Sequence, residues 1–251
     1  MELLQSLTPG VRKMRGVFET LRVSGGAQYL PAHYARLCRG LKMLDLPVPW
    51  TRRALRGAIK HLLQAVPKAG RLRIMVWRQG GGVWWALVPG EYGPLSRTAQ
   101  VRGVTVAVIE VRKKFRKEDG WFKSLDYSVY AQALKDARAQ GCFEALLATA
   151  DGRIIDGSRT GLILLTENAL LVPPPGFGTV DSLLSRRIIA LARDSGLPVR
   201  RRTIFINDLA RARAAWLANS LIGLLPIRLR PGSGVLLRRS QTAECKAESY
   251  P

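Results

Sequence analysis

Along the chain the spacing of apolar and polar residues changes period several times, and each change marks an element. Residues 16–23 (GVFETLRV) alternate as a strand does and run into the turn Ser24-Gly25-Gly26. From Pro31 the spacing turns helical, with Leu37, Leu41 and Leu44 on one face until Pro47 stops it. Residues 51–65 read as a second helix with Thr51 as its N-cap. Two strands, 71–78 and 83–88, flank Gly80-Gly81-Gly82, and a third covers 101–111. Together these elements predict a small N-terminal α+β domain over residues 1–115.

The basic stretch 112–120 reads as an exposed connection, with 116–120 as the linker between domains. Residues 121–251 form the second, larger unit. Its pattern predicts a helix at 128–140, strands at 144–148, 162–166 and 169–172, and a break at Pro173-Pro174-Pro175-Gly176. Ser182 is placed to cap a helix over 183–193, and strand-like segments follow at 199–204, 214–218 and 224–227. The end, 241–251, is polar and expected to fray. The fold class expected is α/β (α+β), in two domains, with no internal repeat.

Composition narrows the function classes. With 251 residues, 47% hydrophobic and 23% charged, the chain has enough apolar surface for a substantial core. It holds no apolar run long enough to span a bilayer, and residues 1–10 lack the pattern of a signal peptide, so the cytoplasm is the expected compartment. The net charge of +22, from 40 Lys+Arg against 18 Asp+Glu, favours anionic ligands. The arginines are spread over most segments, so a solvated basic surface on an enzyme with anionic ligands is expected in place of a dedicated nucleic-acid face. Cys38, Cys142 and Cys245 are far apart, and with only His33 and His61 there is no imidazole-rich metal site and no Ser/His/Asp triad.

One pair of residues does suggest chemistry. Lys123 lies just ahead of a helix, and Asp156 sits in a strand-to-turn segment some thirty residues on. An electron-sink cofactor such as pyridoxal phosphate needs an amine for its aldehyde and an acid for its ring nitrogen.

Five fragments in series then carry a family resemblance: GVFETLRV, HYARL, FKSLDY, EALLATADGRIIDGSRTG and ANSLIGLLPIRL, from about residue 16 to 229. The chain resembles the fold-type IV pyridoxal-phosphate enzymes, a family of branched-chain and D-amino-acid aminotransferases and aminodeoxychorismate lyases. The resemblance implies a two-domain fold whose larger C-terminal domain is a pseudo-barrel, a homodimer, and pyridoxal 5'-phosphate as cofactor. It matches Lys123 to the Schiff-base lysine, and Asp156 to the usual glutamate against the pyridine nitrogen, one methylene shorter. Arg36, with His33 three residues before it, matches the phosphate-binding arginine. Leu184 and Ser185 replace the usual Ile-Thr at the helix start, Ser220 matches the last phosphate-binding hydroxyl, and Tyr127 is a candidate for the cofactor's phenolic oxygen.

Other roles compete for several of these residues. Asp156 also suits an Asp-Gly turn, Arg36 a helix surface, Ser185 and Ser220 cap and turn positions, and Tyr127 the core. Arg78 and Arg112 are weaker candidates for substrate carboxylates, with surface roles preferred. Trp77, Trp84 and Trp85 read as core or subunit-interface packing. Asn219-Ser220-Leu221-Ile222-Gly223 with Pro226 resembles the lyases more than the Gly-Thr-Ala sequence common in transaminases. The expected reaction is therefore conversion of 4-amino-4-deoxychorismate to 4-aminobenzoate and pyruvate. The alternatives are a class IV aminotransferase for branched-chain or D-amino acids, and a non-catalytic family member that binds an anionic partner.

Overall fold

The computed structural model describes residues 14–230. The frayed end expected at 241–251 and the segment 1–10 lie outside the described residues. In the N-terminal part, strands β1 (Gly16–Arg22), β2 (Arg71–Gln79) and β3 (Gly82–Gly90) form an antiparallel sheet in the order β1-β2-β3. Helices α1 (Leu30–Met43) and α2 (Arg52–Ala65) cover one face. Strand alternation puts Val17, Leu21, Leu72, Ile74 and Val76 on that face, where they pack against Leu37, Leu41, Leu55 and Ile59. Thr51 caps α2 as expected, accepting the Ala54 N–H at 3.2 Å. Helix α1 stops before Pro47, because Leu44 folds its N–H back onto the last turn and Asp45 turns left-handed at φ 51°.

The strand expected at 101–111 as a third member of this unit belongs elsewhere. Ser96 caps a short helix, α3 (Arg97–Arg102), which ends at Gly103. Strand β4 (Val104–Glu110) then pairs in parallel with β5 (Glu144–Ala148) and β12 (Gly223–Leu229). The two sheets therefore part between β3 and β4. Gly103 carries the change of direction at φ 74°, where a Cβ would lie 2.6 Å from the Pro226 carbonyl oxygen.

The large sheet has nine strands in the order β10-β6-β5-β4-β12-β11-β7-β8-β9. The remaining strands are β6 (Arg153–Gly157), β7 (Gly161–Leu165), β8 (Leu170–Val172), β9 (Val199–Arg201), β10 (Ile204–Phe205) and β11 (Ala214–Asn219). The single segment expected at 199–204 is two strands on opposite edges of the sheet. Only Arg202 and Thr203 separate them, so the edges stand within three Cα steps, about 11 Å. The sheet must therefore curl toward closure.

Its interior is filled by alternate residues from nearly every strand, among them Val106, Leu146, Ile154, Leu164, Leu171, Ile204, Leu217 and Leu225. The intervening residues face outward, where α4 (Ser128–Ala139) covers Ala107, Ala145, Leu147 and Ile155, and α5 (Leu183–Asp194) covers Ile163, Leu170, Val172 and Ala218. A further short helix, α6 (Ile206–Arg211), was not legible in the pattern. It starts where the Asp208 carboxylate accepts the Phe205 N–H at 2.8 Å. Among the described residues no helix is long and apolar enough to cross a membrane.

The connection at 116–120 is exposed for much of its length, yet it is not a loose tether. Its carbonyls at Arg116, Asp119 and Gly120 accept N–H bonds from Phe177, Gly178 and Asp181 at 3.1, 2.7 and 2.8 Å. The next residues join β1, with Phe18 N–H to Lys123 O at 2.9 Å and Leu125 N–H to Gly16 O at 3.0 Å. Gly120 adopts φ 108°, and a Cβ there would lie 2.0 Å from the Thr179 carbonyl oxygen. Gly25, at φ 62°, has nothing within 4 Å of the same position. We therefore expect Gly120→Ala to cost about 3 kcal/mol and Gly25→Ala about 1 kcal/mol. Thermal melts of the two variants check this, and equal losses would contradict the close approach.

Candidate active site

The site lies where β1, α1, the segment after the connection and the rim of the curled sheet meet. Glu19 faces the helices from an inward position of β1 and is 1% exposed. Its carboxylate accepts Arg36 Nε at 2.6 Å and Nη2 at 2.7 Å, and it pairs with His33 Nδ1 at 2.7 Å. Burial opposes its charge, but Arg36 and His33 outweigh that and hold its pKa down at about 2. Arg36 sends Nη1 across to the Asp181 carbonyl at 2.7 Å. A guanidinium has five N–H groups, so two remain to meet an anion.

Lys123 is carried into the site by its carbonyl, which accepts the Phe18 N–H, and by the bridge of Ser124 to Val17, with Nζ 5.0 Å from the centre of the Phe18 ring. The lysine keeps partial solvent access, but its surroundings are dense and cationic. Burial first, then the charges of Arg36 and Arg73, lower its pKa to about 8 against the opposing pull of Glu19 and Asp156. Arg73 stands over the same ring at 5.2 Å.

Asp156 is 2% exposed near the end of β6. Its carboxylate accepts the Val180 N–H at 2.9 Å and the Gly157 N–H at 3.2 Å. Burial nevertheless pushes its pKa up to about 8, helped by Glu144 and resisted by those two N–H groups and Lys123. A carboxyl with charge opposed this way suits a cationic N–H partner. It lines a small cavity with Gly161, Thr179, Val180, Ser182, Ser185 and Arg201.

Helix α5 points its first turn at this region. Ser182 caps it, but its Oγ takes the Ser185 N–H at 3.2 Å, so that amide is already used. Ser185 itself is buried, and Leu184 is half-buried in the same turn. Ser220 lies in the turn between β11 and β12. Asn219 builds that turn: its Oδ1 accepts the Leu221 and Ile222 N–H groups at 2.8 and 2.9 Å, and its Nδ2 donates to Arg159 O at 3.1 Å.

The Tyr127 hydroxyl donates to the Ser158 carbonyl. The ring meets Phe18 edge-on at 5.6 Å and stacks on Tyr130 at 4.7 Å, and Tyr130 OH donates to Gly178 O at 2.6 Å. Arg78 is away from the site, donating to Asp45 O at 3.0 Å, and Arg112 is exposed. Trp77 is buried, whereas Trp84 and Trp85 are exposed, with Trp85 against Trp50 at 5.2 Å. Sequence reasoning missed Glu19, Arg73 and Asp181. A glutamate on the apolar face of an alternating strand was the one available signal, since such a charge must find a partner.

The donor set fits pyridoxal phosphate: a buried acid, an amine of lowered pKa, and an arginine facing a helix N-terminus. Comparisons with known proteins agree. A model of the family described as amino-transferase class IV matches residues 16–229. The bifunctional aminodeoxychorismate lyase / D-amino acid transaminase of Mycobacterium tuberculosis is 29% identical, over 93% of this chain and 87% of its own. The aminodeoxychorismate lyase of Bacillus subtilis is 24% identical over 84% of this chain and 76% of its own. The solved PLP-bound structure of a hypothetical aminotransferase from Mycobacterium tuberculosis superposes with a TM-score of 0.73 at 25% identity, covering 89% of this chain and 83% of that one. The fold is fold-type IV and the cofactor is pyridoxal phosphate: the chain belongs to the class IV aminotransferase family of pyridoxal-phosphate enzymes.

Proposed function

We propose that this enzyme is an aminodeoxychorismate lyase, which releases pyruvate from 4-amino-4-deoxychorismate and leaves 4-aminobenzoate. The observation that carries this reading is the Asn219 turn. Its three side-chain hydrogen bonds make Asn-Ser-Leu a built feature of the site, and the glycine that transaminases often place there has no side chain to make them. The Arg73 guanidinium, over the Phe18 ring beside Lys123, also suits an anionic substrate.

When bound, pyridoxal phosphate supplies a sink for the negative charge that develops at the amine-bearing carbon of the substrate. Lys123 would hold it covalently, and its amine would carry the proton. A pKa of about 8 leaves part of the amine neutral near neutral pH and keeps its conjugate acid able to give the proton back. Asp156, oriented by the Val180 and Gly157 N–H groups, would hold the ring nitrogen in its protonated form. Arg36 would bind the phosphate with its two remaining N–H groups, joined by the first-turn amide of Leu184, the Ser185 hydroxyl and Ser220. Tyr127 flanks the site through its ring, with its hydroxyl proton given to Ser158. The two domains follow the division of the sheets, and the exposed Trp84 and Trp85 are apolar surface that the expected homodimer would cover.

A second reading is transamination of D-amino acids, favoured by the Mycobacterium tuberculosis relative whose name joins both activities. Purified enzyme is expected to form pyruvate from aminodeoxychorismate with no keto acid added. Failure to do so, with conversion to the pyridoxamine form by D-alanine, would give the transaminase reading instead. Borohydride reduction is expected to fix the cofactor on Lys123, and peptide mapping to any other lysine would overturn the anchor.

Burial and neighbouring cations predict the pH behaviour of the amine. In cofactor-free protein, acylation of Lys123 is expected to rise with a midpoint near pH 8, well below the ordinary lysine value. Replacing Arg73 by Gln removes one cation that disfavours the ammonium, so the midpoint should move upward. Mass spectrometry after pulsed labelling across pH checks both, and a midpoint near 10.5 in the parent would contradict the environment described.

A further inference from the structure

Asp181 joins the two halves of the molecule in a way that the cofactor residues alone do not explain. It lies two residues ahead of α5 and is 2% exposed. Its carboxylate accepts Arg39 Nη1 at 2.9 Å and Arg186 Nε at 2.8 Å, with a second bond from Arg186 Nη2. Its carbonyl accepts Arg36 Nη1 at 2.7 Å, and its N–H donates to Gly120 O at 2.8 Å. Arg36 and Arg39 are one turn apart on α1, and Arg186 is in the first turn of α5.

That first turn has no acidic residue and carries Arg186, with Arg187 next to it, where the helix dipole disfavours cations. Asp181 supplies the missing negative charge, and it also separates two arginines, Arg39 and Arg186, that would otherwise face one another across the domain junction. A second contact runs parallel to it, with Arg187 over the Tyr29 ring at 4.3 Å.

We propose that Asp181 is a positioning residue that sets the phosphate subsite: its carboxylate ties Arg39 of α1 to Arg186 of α5, and this seats its own carbonyl on the Arg36 guanidinium beside the N-terminus of α5. This rests on the cofactor reading above. The two phosphate-binding parts come from different domains, and Asp181 is the residue that bonds to both helices. Its field and its position act in opposite directions. A carboxylate beside a phosphate repels it, so deleting the charge would tighten binding if the field were what mattered. Deleting a clamp would loosen the arginine and the helix end, and weaken binding.

The test is the dissociation constant of pyridoxal phosphate beside that of pyridoxal, which lacks the phosphate, measured by absorbance titration of cofactor-free protein. In Asp181→Asn, pyridoxal phosphate is expected to bind about tenfold more weakly while pyridoxal changes by less than about twofold. Asp181→Glu, which restores the charge, should recover part of the loss. Arg39→Gln removes only one clamp from a partly exposed side chain and should weaken pyridoxal phosphate alone by about threefold. It serves as the test if the Asn variant does not fold. Unchanged or tighter pyridoxal phosphate binding overturns the proposal, and so does a parallel loss for both ligands, which would mark general disruption. Parent protein that binds no cofactor at Lys123 would instead overturn the cofactor reading itself.

Discussion

The buried ion pair of Glu19 and Arg36 is the interaction on which the rest of this structure depends. Two charges withdrawn from water are costly unless geometry and extra hydrogen bonds compensate. Here the guanidinium meets the carboxylate through two N–H groups, His33 takes up the same carboxylate, and a third N–H of the arginine reaches Asp181. The pair thereby does two things at once. It ties α1 to β1 beside the three-stranded sheet, and it presents a cation to the segment that leads into α5.

Two opposing pKa shifts follow from the same enclosure. The amine of Lys123 is lowered and the carboxyl of Asp156 is raised, each mainly because burial disfavours its charged form. Each is kept near the range where protons move at neutral pH, and their mutual attraction is not enough to hold both fully charged. The two groups answer to separate demands: an amine that is partly neutral, and a buried acid aimed by the Val180 and Gly157 N–H groups. Most of the chain's excess positive charge is elsewhere, on exposed arginines. The inward-facing fraction, Arg36 and Arg73, is what acts on Lys123.

Much of the fold was legible from periodicity. The alternation in GVFETLRV, the helical spacing after Pro31 and the Thr51 and Ser182 caps all depend on residues close in sequence. The misreadings share a cause. Strand β4 alternates like its N-terminal neighbours, and nothing in its own residues says which sheet it will join. Segment 199–204 has the composition of one strand, but the closing sheet divides it between two edges. Helix α6 is too short to show a period.

The site divides in the same manner. Residue type and order along the chain determined the chemistry available: an amine at Lys123, an acid at Asp156, an arginine at Arg36 and hydroxyls at Ser185 and Ser220. Only the tertiary structure decided their states. It gave the Tyr127 proton to Ser158, paired Glu19 with Arg36 and placed Asp181 between two helices. Local sequence sets which groups a segment can offer. Desolvation, charge pairing and the competition for each hydrogen bond depend on neighbours more than a hundred residues away, as Arg36 and Asp181 are, and those neighbours exist only once the chain has folded.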